Sequence, residues 1–462
     1  MSDVCRTPQQ LRQDALAIWQ AGVHAVRSDR LVRANVQVDG DILRIVDQEF
    51  QLSEIDRIAI VGAGKAGAAM ALGLEEALGP QVLFSKRVSG WVNVPADCVR
   101  PLACTTLHAA RPAGKNEPTP DGVAGTSRIL EIVSQLGPRD LCICLISGGG
   151  SALLPAPVEG VSLADKQALT RFLSAAGANI RELNTVRKQL SRVKGGGLAR
   201  ACRAGTLVTL IISDVLGDPL DVIASGPTVA DSSTRTDALA VLSRFDRERA
   251  QVAASIYRVL ENAKQIASPH PSSRVINEVI GNLAVAVDAA GMEAERRGYS
   301  HAMLVARALE GPAEEIGRHL ADMALQMRSE EGPDCLITGG EPIVQLAPES
   351  ERGLGGRNQQ LVLAAVDQLR SRGSFGEGMV LLSGGTDGED GPTDAAGALV
   401  DEAIIELAAT LGLDSADDLR RNNAYRYFDA CGGLIKTGPT HTNVCDIRVV
   451  VVDRVQAPKA TS

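Results

Sequence analysis

"IAIVGAGKAGAAMALGL" (58–74) sets an apolar run, three spaced glycines and an apolar helix-forming stretch in succession. Gly62, Gly64 and Gly67 have the G-x-G-x-x-G spacing of a dinucleotide-binding turn, in which a strand turns tightly into a helix whose N-terminus faces an anion. Lys65 stands inside that turn. A nicotinamide enzyme does not need a cation there, whereas a phosphate-handling enzyme would use one. At a helix start a lysine opposes the macrodipole by roughly 0.3–1 kcal/mol, so an anion facing it is a better account than empty water. A Rossmann turn also asks for an acidic residue about 20 residues on, to hold the ribose of NAD. No Asp or Glu occurs between Glu76 and Asp97, and the apolar "VLF" (82–84) is followed by Lys86 and Arg87. NAD is therefore disfavoured and NADP survives, while the three glycines are also compatible with a plain strand-to-helix turn.

Outward from this stretch the chain alternates. A strand at Arg57–Val61 precedes the turn, and a helix from Lys65 to Leu78 follows it. The strand "DLCICLIS" (140–147) runs into "GGGSALLPAP", and "LVTLIIS" (207–213) runs into "DVLGDP". Later strands are expected at "HAMLV" (301–305), "DCLITG" (334–339), "MVLLSGG" (379–385) and "DIRVVVV" (446–452). Helices are expected over 8–32, 121–136, 275–297, 312–328 and 358–371. Strands alternating with helices, each strand ending in a glycine or polar loop, imply an α/β fold with a parallel sheet. The 462 residues suit two such domains. A break is expected between the turn-rich "GPTVADSSTRTDA" (226–238) and "SPHPSS" (268–273).

Charge and composition exclude several classes. The net charge of −9, with no Lys/Arg run interleaved with aromatics, argues against nucleic acid as the main partner. Nine scattered cysteines without a C-x-x-C pair disfavour structural zinc and a disulfide framework. No membrane span and no secretory h-region are visible, so the expectation is a soluble cytoplasmic protein.

Phosphoryl transfer needs donors around phosphate oxygens, cations where charge gathers, and carboxylates for a metal. Each is offered at an expected strand end. Ser147, Gly148, Gly149, Gly150 and Ser151 form a loop whose N–H groups can approach an anion. "NTVRKQLSRVKGGG" (184–197) brings Asn184, Arg187, Lys188, Arg192 and Lys194 before more glycines. Asp214 and Asp387 each follow an apolar strand and open acidic loops suited to a hard cation such as Mg2+. Glu341 lies in "TGGEP", and Arg357, beside Asn358 in "GGRNQ", can grip a carboxylate or phosphate with two bonds. There is no Walker A motif, no protein-kinase set and no G-x-S-x-G elbow.

Together "VGAGKA", "SGGGSALLPAP", "NTVRKQLSRVKGGGLA", "ISDVLGDPLDVIASGPT", "GGEP", "GGRNQ", "LSGGTDGEDGPTDAAGA" and "TGPTHTNVCDI" resemble, in order and over nearly the whole chain, the class II glycerate 2-kinases, or MOFRL family. The resemblance implies a Rossmann-like domain over 1–260, a smaller C-terminal α/β (MOFRL) domain over 261–462, and an active site in the cleft between them. It implies transfer of phosphate from ATP, with Mg2+, to the 2-hydroxyl of D-glycerate by a monomer or homodimer. Carried onto matching positions, it puts Lys65 and Arg357 in catalysis. Asp214 is a candidate for the metal or for the hydroxyl proton, and Asp387 for the metal. Gly64, Ser147 to Ser151, Asn184, Arg187, Lys188, Glu341 and Asn358 are the expected substrate and nucleotide contacts. The alternative is an NADP-dependent hydroxypyruvate reductase, a label some members of the family carry. Two positions depart from the family's pattern: His441, where glycine is usual, and Cys445, where asparagine is usual.

Overall fold

A computed structural model describes residues 6–115, 117–262 and 272–454. The chain divides into two compact units, Ser28–Gly281 and Met1–Arg27 together with Asn282–Ser462.

The unit Ser28–Gly281 is built on six parallel strands: β1 (Ile58–Ala63), β2 (Ser89–Pro95), β3 (Thr105–Arg111), β4 (Leu141–Ile146), β5 (Thr206–Ile212) and β6 (Arg274–Gly281). Their order is β3-β2-β1-β4-β5-β6, that of doubly wound dinucleotide folds, with the reversal of strand order between β1 and β4. β1 and β4 are buried along their whole length, which is why both read as unbroken apolar runs rather than alternating ones. Cys142 and Cys144 are fully buried core residues, as their place in such a run implies. The helices Leu163–Ala175, Ile180–Gln189, Arg235–Phe245 and Ala254–Asn262 share a second apolar cluster. A three-stranded antiparallel meander spans 36–51.

Three sequence expectations change here. The helix expected over 8–32 is two helices, Pro8–Ala25 and Ser28–Asn35, and the units part at the break between them. "VLF" is the last turn of the helix Gly67–Ser85, which continues past a kink at Gly79 (φ +70°) and Pro80. The second strand is "SGWVNVP", so Lys86 and Arg87 precede it rather than follow it, and the Lys86 ammonium donates to Ile55 O. Lys86 and Arg87 therefore do not stand where an NADP-binding turn would place a cation for the extra phosphate. "RVINEVIG" is strand β6, and the helix begins only at Leu283, capped by Asn282. Valine and isoleucine interleaved with polar residues over so short a window fit both periods, and pairing with β5 decides the outcome. The single division expected at 260/261 differs from the compact units for the same reasons: β6 completes the parallel sheet, and Pro8–Ala25 packs in the other unit.

That other unit carries a mixed sheet of β7 (His301–Val305), β8 (Cys335–Gly340), β9 (Met379–Gly385), β10 (Gly397–Val400), β11 (Leu434–Ile435) and β12 (Asp446–Val452) in the order β7-β8-β12-β9-β10-β11. Of the neighbouring pairs in this sheet, β7 and β8 are parallel and the others antiparallel. The buried central strand β12 runs against both neighbours, so its first residue, Asp446, sits beside Gly340 and Gly385 at their carboxyl ends. Trp19 of the first helix is buried here and donates to Gly384 O at 3.2 Å.

Candidate active site

The glycine turn and the loop after β4 close on each other. Lys65 N donates to Gly148 O (2.9 Å) and Ala66 N to Ser147 Oγ (3.1 Å). Gly64 N donates to Asn93 O and Gly67 N to Gly64 O. Gly64 is pressed so closely on Ser147 that a Cβ there would strike the hydroxyl. Four successive N–H groups, those a dinucleotide-binding turn turns toward pyrophosphate, are thus engaged inside the protein. The Lys65 side chain remains exposed, with no hydrogen bond or ion pair among the described residues.

Around the loop 147–151 the strand ends converge. A Cβ on Gly149 would lie 3.4 Å from Lys65 Cγ and 3.2 Å from Arg111 Nη2, at the end of β3. A Cβ on Gly148 would collide with the carboxylate of Asp214, the residue after Ser213 at the end of β5. Side chains from β1, β3 and β5 therefore meet over the glycines that follow β4, at the carboxyl edge where open α/β sheets bind ligands.

Behind the loop lies a buried polar network. The Lys194 ammonium donates to Ser151 O (3.1 Å), Ser151 Oγ (2.9 Å) and Ser225 Oγ (3.3 Å). The two hydroxyls are 2.7 Å apart, and Ser225 Oγ donates to Asn184 Oδ1 at 3.2 Å. Ser225 is held by a run of left-handed backbone, Ala224 (φ +49°), Ser225 (φ +62°) and Gly226 (φ +60°), a strained arrangement that costs of order 1–3 kcal/mol per non-glycine residue and tends to accompany function. Burial, with the charges of Arg187 and Lys166, holds the Lys194 pKa well below the ordinary lysine value. Burial and Arg187 bring that of Lys166 to about 7. Lys188 differs: Asp221 (3.3 Å) and Asp231 (3.4 Å) take its charge.

The second cluster lies in the C-terminal unit. Arg357 opens the helix Arg357–Ser371 and grips Asp446 with Nε (2.7 Å) and Nη2 (3.0 Å), while Nη1 reaches Glu341 at 2.8 Å. Burial alone would lower the arginine's pKa, but Asp446 and Glu341 outweigh it and raise it. Asp446 is only 1% exposed, so this is a fixed fork rather than a surface pair. Asp387 and Asp446 both face Gly385, whose Cβ would lie 3.1 Å and 3.5 Å from their Oδ1 atoms. Asp390 accepts from Asn358 N and Gln359 N and so caps the helix; burial raises its carboxyl to about 6 against these bonds. Asn358 is buried, its amide engaged by Asp390 and by the Ser383 hydroxyl, so it supports the arginine from beneath.

The expected residues thus fall into two groups. Gly64, Lys65, Ser147 to Ser151, Asn184, Arg187, Lys188 and Asp214 belong to one unit, and Glu341, Arg357, Asn358 and Asp387 to the other. Arg111, Ser225 and Asp446 did not stand out in the sequence. The "ASGPT" run gave no sign of left-handed backbone before its glycine, and Asp446 reads as the polar first residue of a strand. The two departures from the family pattern now have a physical meaning: His441 (φ +61°) and Cys445 (φ +72°) both occupy left-handed backbone, which glycine and asparagine tolerate best.

Comparison with known proteins bears on the family of the chain. A family model described as Domain of unknown function (DUF4147) matches residues 14–261, and one described as the MOFRL family matches residues 334–446. A D-glycerate 2-kinase of Thermotoga maritima is 36% identical, the match covering 96% of this chain and 99% of that one. A crystal structure of glycerate kinase from the same organism superposes with a TM-score of 0.81 at 35% identity, covering 96% of this chain and 100% of that one.

The chain belongs to the glycerate kinase family.

Within the glycerate kinase family one relative, from Agrobacterium vitis, has hydroxypyruvate reductase in its name; it is 38% identical over 86% of this chain and 87% of its own. Among the described residues no helix is long and apolar enough to cross a membrane.

Proposed function

We propose that this glycerate kinase family member transfers the γ-phosphoryl group of ATP to the 2-hydroxyl of D-glycerate, giving 2-phosphoglycerate and ADP. The observation that carries this reading is the convergence of Lys65, Arg111 and Asp214 on the glycines of the loop 147–151. Glycines without Cβ atoms let phosphate oxygens come close, and two cations stand where charge accumulates during transfer. Lys65, its ammonium unpaired among the described residues, neutralises the migrating group. Arg357, already oriented by Asp446 and Glu341, offers its remaining N–H groups to the carboxylate of the acid or to a phosphate.

Magnesium fits the donors at both clusters. No three His, Cys, Asp or Glu side chains among the described residues form a ready cage. Mg2+ characteristically uses one or two carboxylates together with substrate phosphates, and Asp214 beside Gly148 and Asp387 beside Gly385 are such carboxylates. Bound magnesium would neutralise charge on the phosphates. Asp214 either holds the metal or takes the hydroxyl proton, and the Mg2+ dependence of Asp214→Asn distinguishes the two: a raised metal requirement marks a ligand.

A hydride-transfer reading has less support, since the turn that would hold the cofactor's pyrophosphate spends its N–H groups at 64–67 internally. A paired assay decides. We expect ADP formation with D-glycerate, ATP and Mg2+, with 2-phosphoglycerate identified by phosphorus NMR, and no NADPH oxidation with hydroxypyruvate. NADPH oxidation without ADP formation would overturn the proposal. The compartment, expected to be cytoplasmic, and the monomeric or dimeric state are parts of the same reading, open to fractionation and light scattering.

A further inference from the structure

Buried charge normally has a partner, because an isolated ion in a poorly solvated site loses far more hydration than neutral acceptors return. Lys166, Arg187 and Lys194 break this pattern together. Lys194 is 3% exposed, and among the described residues its ammonium is bonded only to serine oxygens. Among the described residues the Lys166 ammonium has one carbonyl, Leu190 O at 2.8 Å, and the half-buried Arg187 guanidinium has no hydrogen bond. None of the three has a carboxylate at ion-pair distance among the described residues, although nearby Lys188 has two.

We infer that these three residues form an anion subsite: Arg187 contacts a phosphate or carboxylate group of a substrate, Lys166 adds its charge, and Lys194 positions the Ser151 and Ser225 hydroxyls behind that anion. Lys194 is a positioning residue, its three N–H groups being spent on the serines; it acts through the hydroxyl of Ser151, on the loop that Lys65 and Asp214 face. The left-handed run at 224–226 holds Ser225 in the network that the lysine completes. The inference rests on the kinase reading only for which anion is bound, the nucleotide's phosphates or the acid's carboxylate.

Calorimetric binding of inorganic pyrophosphate, ADP and D-glycerate, each without turnover, tests it on the full chain and on Arg187→Gln, Lys166→Met and Lys194→Met. Losing a charge-assisted contact is expected to weaken the relevant anion about tenfold or more. Loss for pyrophosphate and ADP with D-glycerate unchanged assigns the subsite to the nucleotide; the reverse assigns it to the acid. In steady state the KM of the same substrate rises while the other KM holds, which a purely structural lysine would not produce. Affinities within about twofold of the parent for all three ligands would overturn the inference, as would failure of the parent to bind any of them. Should Lys194→Met not fold, Arg187→Gln decides, since that side chain has no hydrogen bond among the described residues to lose. A parent that forms no ADP from D-glycerate but loses pyrophosphate binding on Arg187→Gln would refute the kinase reading and leave the subsite standing.

Discussion

In the N-terminal unit three cations, Lys166, Arg187 and Lys194, share a region that no described carboxylate reaches, whereas in the C-terminal unit one arginine is held by two carboxylates and flanked by more. The first arrangement is incomplete without an anion. The second is complete in itself and spends its acids on direction: Asp446 and Glu341 fix the plane of Arg357, and Asp387 stands beside them. The contrast is one between two ways of meeting an anion, by unpaired charge and by a preset fork. A fixed fork loses little freedom on binding, and unpaired cations gain most when an anion arrives.

The largest expected effects fall on Lys65 and Arg357, the two residues proposed to act on the reacting groups. Lys65→Ala is expected to lose at least 10²–10³ in turnover with a normal melting temperature, since the exposed side chain has no hydrogen bond or ion pair among the described residues to forfeit. Arg357→Lys keeps the charge and loses the fork; we expect a similar fall in kcat/KM, seen mainly with D-glycerate as the varied substrate. Near-parental activity in Arg357→Lys would show that position 357 needs only charge and would dissolve the contrast between fork and field. Arg357→Ala is a poorer probe, because it strands the buried Asp446 carboxylate at a cost of about 3–5 kcal/mol.

A steric probe comes next in size. Gly148→Ala places a methyl group against the Asp214 carboxylate. Overpacking of this kind costs about 1–3 kcal/mol, and here the strain falls on a residue proposed for the site. Activity is expected to drop further than stability, compared by steady-state kinetics and urea unfolding on one preparation. A stability loss with kinetics intact would remove Asp214 from the chemistry.

Most of the fold was legible where the sequence obeys one period over a long span. β1, β4, β5 and β12 read correctly because strands covered on both faces are unbroken apolar runs. β2 and β3 were missed, although the edge strand β7 was read at its observed bounds: β3 mixes Thr, His and Arg, and β2 follows a helix that runs through Gly79 and Pro80, where a break would be expected. The glycine loops and their charged neighbours were visible as motifs. Their sorting into compensated and uncompensated charge was not, because Lys188 and Lys194 look alike in the sequence and only tertiary contacts give one two aspartates and the other two serines.

The unpaired cations carry a pH signature. Burial and Arg187 lower the Lys166 pKa to about 7, so above neutrality the folded protein sheds a proton that the unfolded chain keeps until about 10.5. Between those values the unfolded state binds more protons, and this lysine's contribution to stability rises with pH; below about 7 its penalty is fully present. An anion beside it restores the charge. Pyrophosphate binding at pH 8 is therefore expected to take up protons, measured as calorimetric heats that vary with buffer ionisation enthalpy, and Lys166→Met is expected to reduce that uptake. Equal uptake by parent and variant would locate the proton elsewhere.

The smallest effect lies at His441 in the C-terminal unit. Its φ of +61° puts Cβ too near the following carbonyl, a cost of roughly 1–2 kcal/mol for an L-residue, somewhat less for histidine because it visits this region more readily than most. Glycine removes that cost but gives the unfolded chain more freedom, about 0.5–1 kcal/mol in the opposite sense. The balance leaves His441→Gly more stable by about 0.5 kcal/mol, read as a slightly higher urea midpoint with an unchanged slope. The side chain is exposed, so little packing is lost. A lower midpoint would mean that the contacts of His441 outweigh its backbone strain, and that this departure from the family's glycine is a gain in side-chain bonding rather than a tolerated defect.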